Sequence, residues 1–331
     1  MKKLCFLLCI FSLIIKSYSQ NKDYNKLLCE INNLQNDHKY LEAKCKLESV
    51  IDSFPDQWFE LSKELIFINE KLEYYESNLD IFKIAHQKGY FYFIHPKMSK
   101  YKPYLSFEEF DSLSKADLNL LFEANKISKI KFEVILPQNY DSLKVYPLIF
   151  LLHGGGKNIY NVKLHWQAKI LNKSYIKVYL QSYRHFDSNT YGWGTSDKKL
   201  DNELRSVYKL LIEKYSIDTN KIFIGGISAG ATYAIDISIR AIIPVKGYIA
   251  YCPFIPSILK NKQFDQIKHT NCKGYIVAGE HDQFISNQIE MNQIFDSLGI
   301  NYKYTILKNM GHAYPDNEEY YIKKGLRYLN L

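Results

Sequence analysis

Gly226-Ile227-Ser228-Ala229-Gly230 is the segment of this chain whose residue types point most directly to chemistry. A serine hydroxyl is inert at its own pKa and becomes a nucleophile only beside a base that takes its proton. The pentapeptide follows an apolar run and opens a helical stretch, the strand-turn-helix setting of a nucleophile elbow. In so sharp a turn the residues two positions either side of the serine must lack side chains, and Gly226 and Gly230 meet that demand. The helix behind the serine would aim backbone N–H groups at a developing negative charge. A bare G-x-S-x-G string arises by chance in glycine-serine loops; the setting gives this one its weight.

A second segment, His153-Gly154-Gly155-Gly156, leaves the end of the apolar run Leu148 to Leu152. Its glycines would let a backbone N–H approach a substrate carbonyl, so that Gly154 or Gly155 with Ala229 forms an oxyanion hole. Alone, the segment fits a glycine-rich strand exit equally well; lying one βαβ-sized stretch before the serine, it favours the functional reading. A base is offered by His312, in Met310-Gly311-His312 after the last expected strand. An orienting acid is offered by Asp282, in Gly279-Glu280-His281-Asp282. The chain order serine, acid, histidine suits acyl transfer through Ser228, Asp282 and His312. Glu280 and Asp265 rank lower, one nearer the strand end and the other before the strand. His281 precedes the expected histidine position, and His38, His86 and His269 read as surface or packed residues. Tyr191-Gly192-Trp193-Gly194 falls in a loop at the sheet edge, where strands would open towards the site. Trp193, with Tyr191 and His153, fits the wall of a substrate pocket; Trp193 fits a loop anchor packed on the core equally well.

From Lys131 onward the pattern is of strands alternating with helices. Strands are expected at Phe132–Leu136, Leu148–Leu152, Ile176–Leu180, Ile222–Ile224, Val245–Ala250, Tyr275–Ala278 and Tyr302–Leu307. Helices are expected at Leu200–Tyr215, Thr232–Arg240, Ile285–Leu298 and Glu318–Leu329. This alternation predicts an α/β domain with a mostly parallel, doubly wound sheet. Asn21 to Asn125 differs: glycine is scarce and apolar residues recur at helical intervals, as in Leu27, Ile31 and Leu34, then Leu61, Leu65, Ile68 and Leu72. Tyr40-Leu41-Glu42-Ala43 is echoed by Tyr74-Tyr75-Glu76-Ser77, and the breaks at Phe54-Pro55 and Lys88-Gly89 follow each unit. The spacing predicts a smaller all-α domain of helical hairpins, with a further helix at Phe107–Phe122 and an irregular connector from Pro96 to Pro103.

Taken as a set, the HGGG, GISAG, GEHD and GH elements resemble the α/β-hydrolase superfamily over residues 128–331, and are closest to its compact phospholipase/carboxylesterase and polyhydroxybutyrate-depolymerase-like esterase branches. Leu136-Pro137-Gln138-Asn139-Tyr140 and Asp218-Thr219-Asn220-Lys221-Ile222 share that resemblance. It implies an α/β-hydrolase fold and a triad of Ser228, Asp282 and His312; hydrolysis by such a triad requires no metal or organic cofactor, and a domain with little room for a large lid suits a small-molecule or glycan-linked ester. A serine peptidase of prolyl-oligopeptidase-like type would use the same triad. The 34-residue period of the first region resembles tetratricopeptide helix pairs. That implies a protein partner for the helical region, and a competing reading in which the chain is a binding protein with a vestigial hydrolase domain.

Composition narrows the classes further. At 331 residues and 47% hydrophobic the chain can bury a large core, while 15 glycines and 9 prolines exclude collagen-like or wholly disordered readings. The formal charge of +8 comes from scattered lysines, without the clustering or module a nucleic-acid surface needs. Lys2 and Lys3, the apolar run Leu4 to Ile15, and the small Ser17 and Ser19 read as an export signal over residues 1–19. The run is short for a membrane span, so the expected order is signal 1–19, helical domain 20–125 and catalytic domain 126–331, in a periplasmic or secreted protein. Removing the signal takes Cys5 and Cys9 and leaves Cys29, Cys45, Cys252 and Cys272, as local disulfides or free thiols.

Overall fold

The computed structural model describes residues 23–267 and 272–330. The expected export signal, Cys5, Cys9 and His269 lie outside the described residues. Among the described residues no helix is long and apolar enough to cross a membrane. The chain divides into two compact units, Met1–Leu121 and Phe122–Leu331.

The first unit is helical: α1 (23–36), α2 (Tyr40–Val50), α3 (Trp58–Lys71) and α4 (Tyr75–Gln87), then α5 (Phe110–Ile127), which runs past the unit's end. Apolar residues at helical intervals turn inward, so Leu27, Ile31, Ala43, Leu47, Leu61, Leu65 and Ile68 share one core with Leu79, Phe82 and Ala85. Helix α2 packs on α3, and α3 on α4. The connector expected to be irregular contains a 3-10 segment, Ser99–Ser106, around buried Tyr101 and Tyr104. Fully buried Asp117 accepts the backbone N–H groups of Tyr92 and Ile94 at 2.8 and 2.7 Å, and pairs with His86 at 3.1 Å. One carboxylate thus holds the extended segment that follows α4, satisfying N–H groups that no helix or sheet takes up.

The second unit carries a seven-stranded sheet. Its strands are β1 (Lys131–Ile135), β2 (Tyr146–Leu152), β3 (Ile176–Gln181), β6 (Ile217–Ile227), β7 (Gly247–Tyr251), β8 (Lys273–Gly279) and β9 (Tyr302–Leu307), in the order β1-β3-β2-β6-β7-β8-β9. Only β1 runs antiparallel, against β3; the other pairs are parallel. Two short strands, β4 (Arg184–His185) and β5 (Tyr191–Gly192), form a separate hairpin. Successive side chains of a strand point to opposite faces. Leu148, Phe150 and Leu152 therefore enter one core, and Ile149 and Leu151 the other. The first core is closed by α8 (Lys198–Lys214), α9 (Ala229–Ile239), α10 (Ser257–Lys260) and α11 (Ile285–Leu298); the second by α6 (Ile159–Lys163), α7 (Lys169–Ser174) and α12 (Glu318–Asn330). The sheet is doubly wound.

Strand β6 begins five residues before its expected start because Ile217 to Lys221 forms an irregular extension whose pairing with β2 shifts register between Tyr146 and Leu148. Helix α9 is mostly apolar and buried along nearly its whole length, as expected of a central helix. At its end buried Arg240 forms a two-pronged pair with Asp201 of α8, at 2.5 and 2.9 Å, and also binds Asp236. A buried charge needs such partners to offset its desolvation, and here they tie α8 to α9.

Candidate active site

Strand β6 stops at Ile227 and α9 starts at Ala229, leaving Ser228 as the whole of the turn, with φ 54° and ψ −123°. A side chain in that region is strained and persists only where its surroundings over-determine it. Here the Ser228 N–H donates to the Tyr251 carbonyl (2.9 Å), and its own carbonyl accepts from Thr232 N–H (2.9 Å) and Thr232 Oγ1 (3.1 Å). A Cβ at Gly226 would lie 2.8 Å from the Gly230 backbone carbon, and one at Gly230 would lie 2.4 Å from the His153 carbonyl oxygen. Both glycines are sterically required.

The loop after β9 carries His312 and is fastened to the end of β8. His281 N–H donates to the Met310 carbonyl and Glu280 N–H to that of Leu307, both at 2.9 Å. Gly279 permits the approach, since a Cβ there would sit 2.2 Å from the Met310 oxygen. His312 Nδ1 lies 2.9 Å from Asp282 Oδ1. A carboxylate can only accept, so Nδ1 carries the proton and Nε2 is left as the basic nitrogen. Asp282 is 2% exposed and also accepts Phe284 N–H and Gln288 Nε2, each at 2.9 Å. Burial alone would raise its pKa. Hydrogen bonds from Phe284, His312, Gln288 and Cys252 outweigh burial and hold the carboxyl below its ordinary value.

Ser228 and His312 line one cleft of about 500 Å³, together with Gly154 and Gly155. The glycine turn abuts the elbow: a Cβ on Gly154 would fall 3.8 Å from Ser228 Cβ, and one on Gly155 would fall 3.5 Å from Ala229 Cβ. Ala229 is the first residue of α9, directly behind the serine.

His153 and Tyr191, expected as pocket residues, and Trp193, for which pocket wall and loop anchor were equally open, are all buried. None of them lines the cleft. His153 is fully buried, donates from Nδ1 to the Gly154 carbonyl (2.7 Å), and accepts Ser182 N–H on Nε2 (3.3 Å). Burial pushes its pKa down to about 4, so it is a neutral strut that fixes the glycine turn. Trp193 donates its indole N–H to the His153 carbonyl (2.9 Å) and stacks on Tyr233 with ring centroids 5.2 Å apart. Tyr191 packs beside the His153 and His185 rings. The loop folds as the β4–β5 hairpin and buries Tyr191 and Trp193, the latter in the core on the α9 side of the sheet, which supports the anchor reading of Trp193.

Cys252 takes a place that sequence reasoning missed. It follows β7 with φ 48°, and its Sγ lies 3.4 Å from the Ala313 carbonyl oxygen and 3.8 Å from that of Gly311. The Cys252 sulfur, an Asp282 oxygen and a His312 nitrogen all lie within 4.8 Å of one another. Burial, then the Asp282 charge, push the thiol up to about 12, so it stays protonated and can donate. These three groups could ligate a metal only by giving up the hydrogen bonds they make to each other. The sequence left Cys252 open as a disulfide partner or a free thiol; Cys29, Cys45, Cys252 and Cys272 form no disulfide.

Residues 146–320 match the family described as an alpha/beta hydrolase domain, just over half of the 331-residue chain. The chain belongs to that family. A probable dipeptidyl-peptidase 5 from Aspergillus terreus is 27% identical over 128 residues, which span 37% of this chain and 17% of the relative. The crystal structure of an uncharacterized protein from Bacillus cereus ATCC 10987 is 24% identical and covers 92% of this chain and 98% of its own, at a TM-score of 0.51. That likeness concerns the fold alone. A phospholipase/carboxylesterase from Dyadobacter fermentans is 14% identical over 60% of this chain and 95% of its own, with a TM-score of 0.45.

Two outcomes follow from the struts behind the cleft. Trp193→Ala is expected to cost roughly 3–5 kcal/mol of stability, read from urea denaturation. A changed substrate preference at unaltered stability would contradict the anchor. The second concerns pH. Between the ordinary histidine value of 6.5 and about 4, the unfolded state binds a proton that folded His153 refuses. Stability contributed by neutral His153 is therefore present above pH 6.5 and lost as pH falls through that window, by at most about 1.4 kcal/mol per pH unit. Denaturation curves at pH 7 and 4.5 should show a smaller loss for His153→Gln than for the wild type; equal losses would count against the buried neutral ring.

Proposed function

We propose that this chain hydrolyses carboxylic esters through an acyl-enzyme formed on Ser228. The observation that carries the reading is one cleft lined by a serine on a strained strand-helix turn, a histidine bonded to a buried carboxylate, and the glycine turn beside the serine. His312 Nε2 takes the Ser228 proton as Oγ attacks the ester carbonyl, and Asp282 stabilises the resulting imidazolium. Backbone N–H groups of Ala229 and of Gly154 or Gly155 receive the oxyanion. The imidazolium returns its proton to the departing alcohol. A water deprotonated by His312 then attacks the acyl group and frees the acid, restoring Ser228.

A peptidase would use the same groups, and the partial likeness to a dipeptidyl peptidase favours that second reading. A dipeptidyl peptidase must also hold a free amino terminus, for which a carboxylate in the cleft is the natural partner. Among the described residues, those lining this cleft include neither Asp nor Glu. Esters are therefore the better supported substrates.

The expected outcome is turnover of 4-nitrophenyl butyrate by the full chain, lowered at least about 10³-fold by Ser228→Ala and by His312→Ala. Faster cleavage of dipeptidyl 4-nitroanilides would favour the peptidase. Undiminished ester turnover by Ser228→Ala would overturn both readings.

A further inference from the structure

The cleft has an electrical sign. Among its lining residues only Lys157 carries a permanent charge. The carboxylates bonded to its two histidines are already engaged: Asp282 with His312 and Gln288, and Glu318 with His165 at 3.2 Å. Lys157 is exposed and forms no ion pair among the described residues. Its backbone is nevertheless fixed. Gly156 N–H donates to the Tyr191 carbonyl and Tyr191 N–H to the Lys157 carbonyl, both at 2.9 Å, so the hairpin clamps the stem of the side chain. The rest of the wall is largely apolar, with Val162, Leu164, Ile227 and Tyr314, whose ring stacks on His165 at a centroid distance of 3.6 Å. A cation without an ion pair among the described residues, on a loop pinned to the hairpin beside apolar walls, is complementary to a short apolar chain that ends in an anion.

We propose that the preferred substrates are esters carrying a carboxylate a few carbons from the scissile bond, with Lys157 pairing to that carboxylate. This rests on the ester-hydrolase reading and names its substrate class. The pair forms at a solvated rim, where charge pairs are modest and weakened by salt. Recognition is therefore a bias among esters rather than an absolute requirement.

The test compares monoethyl adipate with ethyl hexanoate, two ethyl esters of six-carbon acyl chains that differ in the terminal carboxylate. For the full chain, kcat/KM is expected to be roughly three- to tenfold higher for the adipate monoester, a preference that shrinks in 0.5 M sodium chloride. Lys157→Met should bring the ratio of the two kcat/KM values towards one, and Lys157→Glu should invert it. A ratio near one in the wild type, or the same ratio in Lys157→Glu, overturns the proposal. Ligand-observed NMR titration of monoethyl adipate into Ser228→Ala, with and without Lys157→Glu, reads the pairing without chemistry. Weaker binding in the double variant supports the assignment, and equal binding refutes it. If binding discriminates while no ester is turned over by the wild type, the ester-hydrolase reading fails and the anion site stands.

Discussion

The steric constraint at Ser228 organises the second unit. A non-glycine residue at φ 54° and ψ −123° is tolerated only because a strand pins it from one side and a helix from the other. The same crowding demands glycine at 226 and 230, brings the His153 carbonyl against Gly230, and so fixes where the glycine turn must lie. The strained residue thus locates both the serine and its neighbouring N–H groups. Trp193 and His153 extend that order outward: the indole holds the His153 carbonyl, and the imidazole holds the carbonyl of Gly154 and the N–H of Ser182.

On the other side of the cleft the constraint is electrostatic. Asp282 stays ionised in a buried position because its oxygens accept from Phe284, Gln288 and His312. Cys252 adds a thiol that bridges the end of β7 to the His312 loop. These supports come from β7, β8 and the start of α11, so the imidazole is oriented by rigid elements although it sits on a loop. Such support is what a proton-transferring group needs, since a small misplacement costs rate steeply.

The sequence carried this arrangement unevenly, for physical reasons. The elbow was legible because its steric demands are local: two glycines flank the serine between a strand and a helix. Asp282 and His312 could be singled out from their order along the chain, each just past an apolar strand. The alternation of strands and helices exposed the doubly wound sheet, yet the start of β6 was hidden because Ile217 to Lys221 joins the strand as an irregular extension with shifted pairing. Trp193 stayed ambiguous because a loop aromatic can turn towards a cleft or a core, and only the β4–β5 hairpin decides which. The place of Cys252 was hidden because it arises from contacts with carbonyls about 60 residues away (|i−j| of 59 and 61).

The most direct test of the central claim is to locate the reactive oxygen. Full-length protein treated with a fluorophosphonate is digested, and the adduct is mapped by tandem mass spectrometry. The account expects one phosphonyl adduct, on Ser228, formed at least about a hundredfold more slowly when His312 is replaced by glutamine. An adduct on another residue, or labelling of Ser228 at an unchanged rate in His312→Gln, would contradict it.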